Sequence, residues 1–257
     1  MIEQFTSVPR RCSESAICVL TLFLLMPPSL SFAEPAASAD PASKQDMERI
    51  IEQYIRTHPE VIEQSLQTLE ARRLEDERQR SKIALATRQN DLLHDPASPV
   101  SGNPAGEVTL VEFFDYRCGY CKRVAGAVTQ LQQDDARVKV VYKDLPILGE
   151  ASELAAKAAL ASKAQGKHQA FHEALLAANG DITKDSILSI AGEVGLDAKR
   201  LETDMANPEW QSAIDRNRAL ARDLGINGTP GFIVGTELVP GALDLTGLQD
   251  LITRAER

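Results

Sequence analysis

Between Met47 and Leu69 the apolar residues recur at three- and four-residue spacing, which predicts helix. Met47, Ile50, Ile51, Tyr54 and Ile55 make one stripe, and Val61, Ile62, Ser65, Leu66 and Leu69 make a second. His58-Pro59-Glu60 separates them, with Pro59 suited to a first helical turn. Residues 70–82 are then almost wholly charged, Leu74 being the main apolar position before Ile83 and Leu85. A stretch with so few apolar positions cannot enclose a core. It either packs on a neighbouring domain or pairs with copies of itself, and the interruption at Pro59 argues against one long regular coiled coil. Self-association is the expectation for residues 44–90, with the charged part as a solvated helix or stalk.

Residues 91–106 carry Pro96, Pro99, Gly102, Pro104 and Gly106 and are predicted to be a linker. The pattern then changes period. Val108 to Phe114 and Val138 to Tyr142 predict two buried strands, and the helix between them, running through Leu131, starts at a Cys-x-x-Cys pair. That order is a βαβ unit. An alanine-rich helical region at about 150–224 follows, broken by Gly166, Gly180, Gly192, Gly195 and Pro208. Gly228 to Gly235 predicts a turn and a short strand, Glu237 to Gly241 a second strand, and Leu243 to Ala255 a last helix. The expected class is α/β: a small sheet domain over 107–257 with a helical insertion between its halves.

The N-terminus bears on compartment. Arg10 and Arg11 precede the apolar run Ala16 to Met26, and Ser31-Phe32-Ala33 is a small-x-small boundary of the kind signal peptidase cuts. The run is short of the about 20 residues that a membrane span needs, so a cleaved leader over 1–33 is expected in preference to an uncleaved anchor. Residues 34–43, rich in Pro, Ala and Ser, read as a flexible spacer. Cleavage would remove Cys12 and Cys18 and leave Cys118 and Cys121 as the mature pair. One pair in an exported chain of this length is chemical rather than architectural. The formal net charge of −9 argues against a nucleic-acid partner or an anionic membrane surface.

A Cys-x-x-Cys pair alone also serves zinc, iron–sulfur and haem sites. Zinc needs about four ligands, and His58, His94, His168 and His172 are scattered, without the His-Glu-x-x-His pattern. His168 and His172, four apart on a predicted helix, read as structural or surface positions, with half a metal site as the alternative. Haem attachment wants histidine after the second cysteine, where this chain has Lys122. Redox exchange is left, with no metal and no cofactor expected. At a helix N-terminus, beside Arg117, Lys122 and Arg123, Cys118 should be a stabilised thiolate, and Cys121, one turn inward, the resolving thiol. Ordinary solubilising charge is the other reading of those basic residues. Glu112 interrupts an apolar strand six residues before Cys118. As a buried carboxyl it could relay protons to and from Cys121, with Lys143-Asp144 as a weaker candidate partner; the alternative is a solvent-facing edge position. Thr229-Pro230 reads by itself as an ordinary turn.

Together, Glu112 to Cys121, Lys143, Thr229-Pro230 and the element order resemble the thioredoxin superfamily, in its DsbA-like branch of the bacterial periplasm. The resemblance spans about residues 100–257. It implies a thioredoxin fold with an inserted helical subdomain, a cis-proline loop at Thr229 and Pro230 that presents backbone groups to a substrate peptide, and Glu112 at the family's buried acidic position. The Gly119-Tyr120 dipeptide departs from the Pro-His of strongly oxidising members and matches that of the isomerase DsbC. Residues 52–63 resemble the oligomerisation segment of the suppressor-of-copper-sensitivity C and Com-type proteins, which implies a homodimer or homotrimer through residues 44–90. The implied activity is disulfide isomerisation or reduction on client proteins, with a membrane redox partner renewing the pair, in the periplasm and with the cell envelope as a further option. A DsbA-like dithiol oxidase, or one protein with both activities, is the alternative. A chaperone or copper-handling protein is the non-enzyme reading.

Overall fold

The computed structural model describes residues 41–255. The predicted leader, Cys12, Cys18 and most of the predicted spacer lie outside the described residues. The chain divides into two compact units between Pro59 and Glu60.

In the first unit, α1 (Pro41–Thr57) takes in the end of the predicted spacer. Proline needs no N–H partner in a first helical turn, so Pro41 can begin the helix. The stripe from Met47 to Ile55 is exposed along its length, Ile50 at 65%. Pairs such as Arg56–Glu52 at 2.8 Å support the helix locally, and such exposed pairs contribute only tenths of a kcal/mol, about 0.3–0.5.

The second unit begins with α2 (Glu60–Thr87), which continues unbroken through the charged stretch. Ile62, Leu66, Leu69 and Leu74 are exposed, but its end behaves differently: Ala84 and Leu85 are buried against Leu92, Val111, Phe113 and Leu224. The expected division at residue 90 therefore cuts through core packing. The expected linker is also ordered, holding α3 (Gln89–Leu93) and the edge strand β1 (Val100–Gly102). A three-residue strand is too short to leave a period-two signature among prolines and glycines.

The five-stranded sheet runs β1-β3-β2-β4-β5. β2 (Val108–Phe114) is central and pairs in parallel with β3 (Val138–Asp144), from Val108↔Val138 to Phe114↔Asp144. β4 (Gly231–Val234) and β5 (Glu237–Pro240) add antiparallel pairs. Alternation divides the strands between two faces. Leu110, Phe114, Tyr142 and Phe232 meet α4 (Gly119–Asp134) and α10 (Leu245–Ala255) on one. Val111, Phe113, Val141 and Ile233 meet α9 (Pro208–Leu224) and the end of α2 on the other. Each fully buried Leu or Phe here contributes about 2 kcal/mol of apolar burial.

Between β3 and β4 lie α5 (Glu150–Ser162), α6 (His168–Ala177), α7 (Lys184–Glu193), α8 (Ala198–Asp204) and α9. α5 buries Ala155, Ala156, Ala158, Ala159 and Ala161, small side chains that let neighbours approach from several sides. Gly225 ends α9 in the left-handed region at φ 74°, which only glycine adopts without strain, and turns the chain into the loop carrying Thr229-Pro230.

Candidate active site

β2 delivers the chain to the edge of the sheet, and Asp115 builds the turn into α4. Its carboxylate accepts hydrogen bonds from the N–H groups of Arg117 at 2.7 Å, Ile147 at 2.9 Å and Leu148 at 3.1 Å. Its carbonyl accepts from the Cys118 N–H at 3.0 Å. One side chain thus fixes both the approach to the cysteines and the loop after β3. Cys118 is the N-cap residue of α4. Both cysteines are free thiols, Cys118 7% exposed and Cys121 fully buried.

The Thr229–Pro230 peptide bond is cis, and the Thr229 carbonyl accepts a hydrogen bond from the Cys118 thiol at 3.2 Å. These residues are 111 apart in sequence, so the insertion returns the chain to the start of α4. Burial pushes the Cys118 thiol up, but hydrogen bonding with the Thr229 side chain and from the amides of Cys121 and Tyr120 outweighs it, leaving Cys118 below its ordinary range. In the dithiol none of those amides forms a capping hydrogen bond to the sulfur; their effect is on the thiolate. The expected basic neighbours act elsewhere. Arg117 donates to the Leu148 carbonyl at 2.6 Å, Lys122 to the Ala178 carbonyl at 2.6 Å, and the Arg123 guanidinium lies 4.2 Å over the Tyr120 ring. The expected direction for Cys118 holds, and its cause is the helix start with the Thr229 loop rather than the basic side chains.

Burial drives Cys121 the other way, well above the usual thiol range, and the charges of Cys118 and Glu112 add to the rise. Glu112 lies on the central strand, opposite Tyr142 and Phe232, and is 1% exposed. The edge-strand reading is therefore corrected. Burial raises its carboxyl to about 8, and its Oε1 has no hydrogen-bond partner among the described residues. The expected pairing with Lys143 is also corrected. Lys143 stands opposite Phe113, on the other face, and its ammonium bonds the Asp91 carbonyl and the Ser98 hydroxyl. Strand alternation separates the two side chains, so Lys143 secures the segment before β1 instead.

Two residues escaped the sequence reading. Asp115 could have been suspected as an Asx turn between strand and helix. Tyr116 had no such signal: it is buried, and its hydroxyl lies 2.9 Å from Nδ1 of His172 on α6. His168 and His172 stack against each other and lie tilted against Tyr142, and burial holds both well below the usual imidazole range, His172 at about 3. No cluster of three ligating side chains occurs among the described residues. The pair is an aromatic link between α6 and the active-site turn.

A model of the DSBA-like thioredoxin domain matches residues 109–253, and one of the copper resistance protein ScsC N-terminal domain matches residues 44–75. The chain belongs to the DsbA-like thioredoxin family. A thioredoxin-like oxidoreductase from Silicibacter pomeroyi DSS-3 is 49% identical, aligns over 65% of this chain and 97% of its own, and superposes with a TM-score of 0.64. Alpha-DsbA2 from Wolbachia pipientis, a thiol-disulfide exchange protein, is 35% identical over 68% of this chain and 95% of its own, with a TM-score of 0.64. A linker-deletion mutant of Proteus mirabilis ScsC is 25% identical, covers 86% of this chain and 98% of its own, and has a TM-score of 0.65. The chain also resembles a Na(+)/H(+) antiporter NhaA 1 of Salinispora arenicola, at 29% identity over 158 residues, 61% of this chain and 24% of that protein. It therefore spans about a quarter of the length of the curated relatives it matches. Among the described residues no helix is long and apolar enough to cross a membrane. In this fold the Cys118–Cys121 pair is a thiol–disulfide oxidoreductase centre, and its relatives include a periplasmic thioredoxin-like protein of Salmonella enterica serovar Typhimurium.

Proposed function

We propose that the protein is an oligomeric disulfide isomerase and reductase acting on client proteins in the periplasm. The observation that carries the chemistry is the asymmetry of the pair: Cys118 is the more accessible and lowered, Cys121 is buried and raised. The Cys118 thiolate attacks one sulfur of a client disulfide, forming a mixed disulfide and releasing the other client sulfur as a thiolate. If that thiolate attacks elsewhere in the client, the disulfide is rearranged and Cys118 is regenerated. Otherwise Cys121 gives its proton to the Glu112 carboxylate, attacks Cys118 Sγ, and frees the reduced client as the Cys118–Cys121 disulfide forms. Thr229 and Pro230 flank the attacked bond and offer backbone groups to the client. A membrane redox partner would reduce the pair again.

Isomerisation is favoured by the Gly119-Tyr120 dipeptide and by the exposed stripe over residues 47–69, which gives a dimer or trimer a seam. The lowered Cys118 favours a second reading, a dithiol oxidase, because a stabilised thiolate stabilises the reduced protein. Refolding of a scrambled multi-disulfide client, compared with the reduction potential of the pair, tests between them. Scrambled client rescued by catalytic amounts of reduced protein supports isomerisation. A strongly oxidising potential without rescue overturns it. A truncation meant to remove only the oligomer seam should stop near residue 75, because Ala84 and Leu85 belong to the catalytic core.

A further inference from the structure

α4 begins with the wrong sign of charge for a helix. α2, α5, α7 and α9 each carry Asp or Glu in the first turn, where the helix dipole favours negative charge. α4 carries neither there, and Lys122 and Arg123 stand among its first five residues instead. Positive charge at that end opposes the dipole, so local helix stability does not account for it.

The cations around the pair are disposed differently. Lys122 is committed, its ammonium donating to the Ala178 carbonyl at 2.6 Å. Arg117, just before the pair, donates to the Leu148 carbonyl at 2.6 Å. Arg123 is exposed and has no hydrogen bond or ion pair among the described residues. Its guanidinium lies 4.2 Å over the ring of Tyr120, which is itself 58% exposed. Helical side chains tilt towards the N-terminus, and spacings of three and four residues put Arg123 over Tyr120 and Gly119. A Cβ added at Gly119 would touch Arg123 Nη1 at 3.8 Å, so the guanidinium also borders the residue next to Cys118. The ring holds the cation by its face and leaves guanidinium N–H groups for an incoming acceptor. An open positive charge therefore stands at the helix start where Cys118 is the N-cap residue. The chain around it has a formal net charge of −9, which as a whole repels acidic clients.

We propose that Arg123 is a specificity residue, which pairs with an acidic side chain flanking the client cysteine under attack. The proposal rests on the reading of Cys118 as the client-attacking thiolate. Arg123 then offsets, at close range, the repulsion that this thiolate and the net charge exert on such a client. Guanidinium and carboxylate fit each other through paired N–H···O bonds, whereas a basic flanking residue meets like charge.

The test uses the full chain carrying Cys121→Ser, alone and with Arg123→Lys, Arg123→Gln or Arg123→Glu, and with Cys118→Ser as background. Three capped tripeptides, Glu-Cys-Glu, Gln-Cys-Gln and Lys-Cys-Lys, are activated at cysteine as 2-pyridyl disulfides. The Cys118 thiolate attacks the peptide sulfur and the peptide–pyridyl S–S bond breaks. The released thiolate takes up a proton to give pyridine-2-thione, whose absorbance reads the rate. For unit charges about 7 Å apart in water, the acidic-to-neutral rate ratio should fall about threefold in Arg123→Gln and about sevenfold in Arg123→Glu. The basic-to-neutral ratio should rise correspondingly, Arg123→Lys should keep the wild-type order, and about 0.5 M salt should level the ratios. Equal changes on all three peptides would reduce Arg123 to a support for Tyr120 and overturn the proposal, as would ratios that no variant moves. If no peptide reacts above background, the Cys118 reading has failed instead. Arg123 is then judged by NMR titration with serine analogues of the acidic and basic peptides. Shifts of the Tyr120 ring with the acidic analogue alone keep the proposal; equal shifts with both, or none, overturn it.

Discussion

The helical stretch over residues 41–75 and the domain that follows use apolar residues in opposite ways. From Met47 to Leu74 the large apolar side chains lie in the open, whereas Leu110, Phe113, Phe114 and Phe232 are wholly enclosed. A helix of this kind is not stabilised by its own chain, since most helix stability in proteins comes from packing an apolar face. The domain encloses a core of its own; the stripe needs a partner. The end of α2 belongs with the domain's core, so the change from open to enclosed apolar residues falls within one helix.

Four measurements put that contrast at risk. The largest effect is expected for Cys118→Ser, which should abolish thiol exchange, by about a thousandfold or more, while leaving oligomer size unchanged in analytical ultracentrifugation. A change of size would mean that the two regions are coupled. Next, Ile51→Glu with Ile55→Glu should leave a monomer that loses about tenfold in rescue of scrambled client, through lost avidity, with small-disulfide reduction intact. Equal loss on both substrates would merge the two functions.

Third, Glu112→Gln should slow release of the mixed disulfide by about tenfold or more and remove a pH slope in stability. The folded carboxyl titrates at about 8 and an ordinary one near 4.5. The folded state thus holds an extra proton between those values, and its stability, full below pH 4.5, falls as pH rises towards 8. In urea unfolding the variant should gain on the order of 4 kcal/mol over wild type between pH 4.5 and 8, from about 1.4 kcal/mol per pKa unit. A flat difference would place Glu112 in water. The smallest effect belongs to His172. Its folded value of about 3 against an ordinary 6.5 means that the unfolded state gains the proton first as pH falls below 6.5. Stability is lost in that direction, by about 2 kcal/mol at pH 5. His172→Gln should flatten that slope, whatever its cost at pH 7.

Much of this was legible because its signals are local. The helical period over 47–69, the break at Pro59, the βαβ order and the start of α4 at the cysteine pair depend on neighbours in sequence. Residues 91–106 misled, because proline and glycine punctuate edge strands and short helices as readily as linkers. Lys143 misled because adjacency at a strand end hides the alternation that sends it to the far face. Tyr116 and His172 are 56 residues apart, and nothing in either segment announces the other.

Spacing and composition along single stretches of chain were enough to put Cys118 and Cys121 where a strand meets a helix. They were also enough to show that the N-terminal stripes lack a core. The asymmetry of the pair came only with the packed domain. The lowering of Cys118 depends on the Thr229 loop, which the whole insertion separates from it. The raising of Cys121 depends on burial of the inner face of α4 against the sheet, together with a carboxyl that the central strand holds away from water. Dielectric environment and contact across long loops are properties of packing, and no local pattern encodes them.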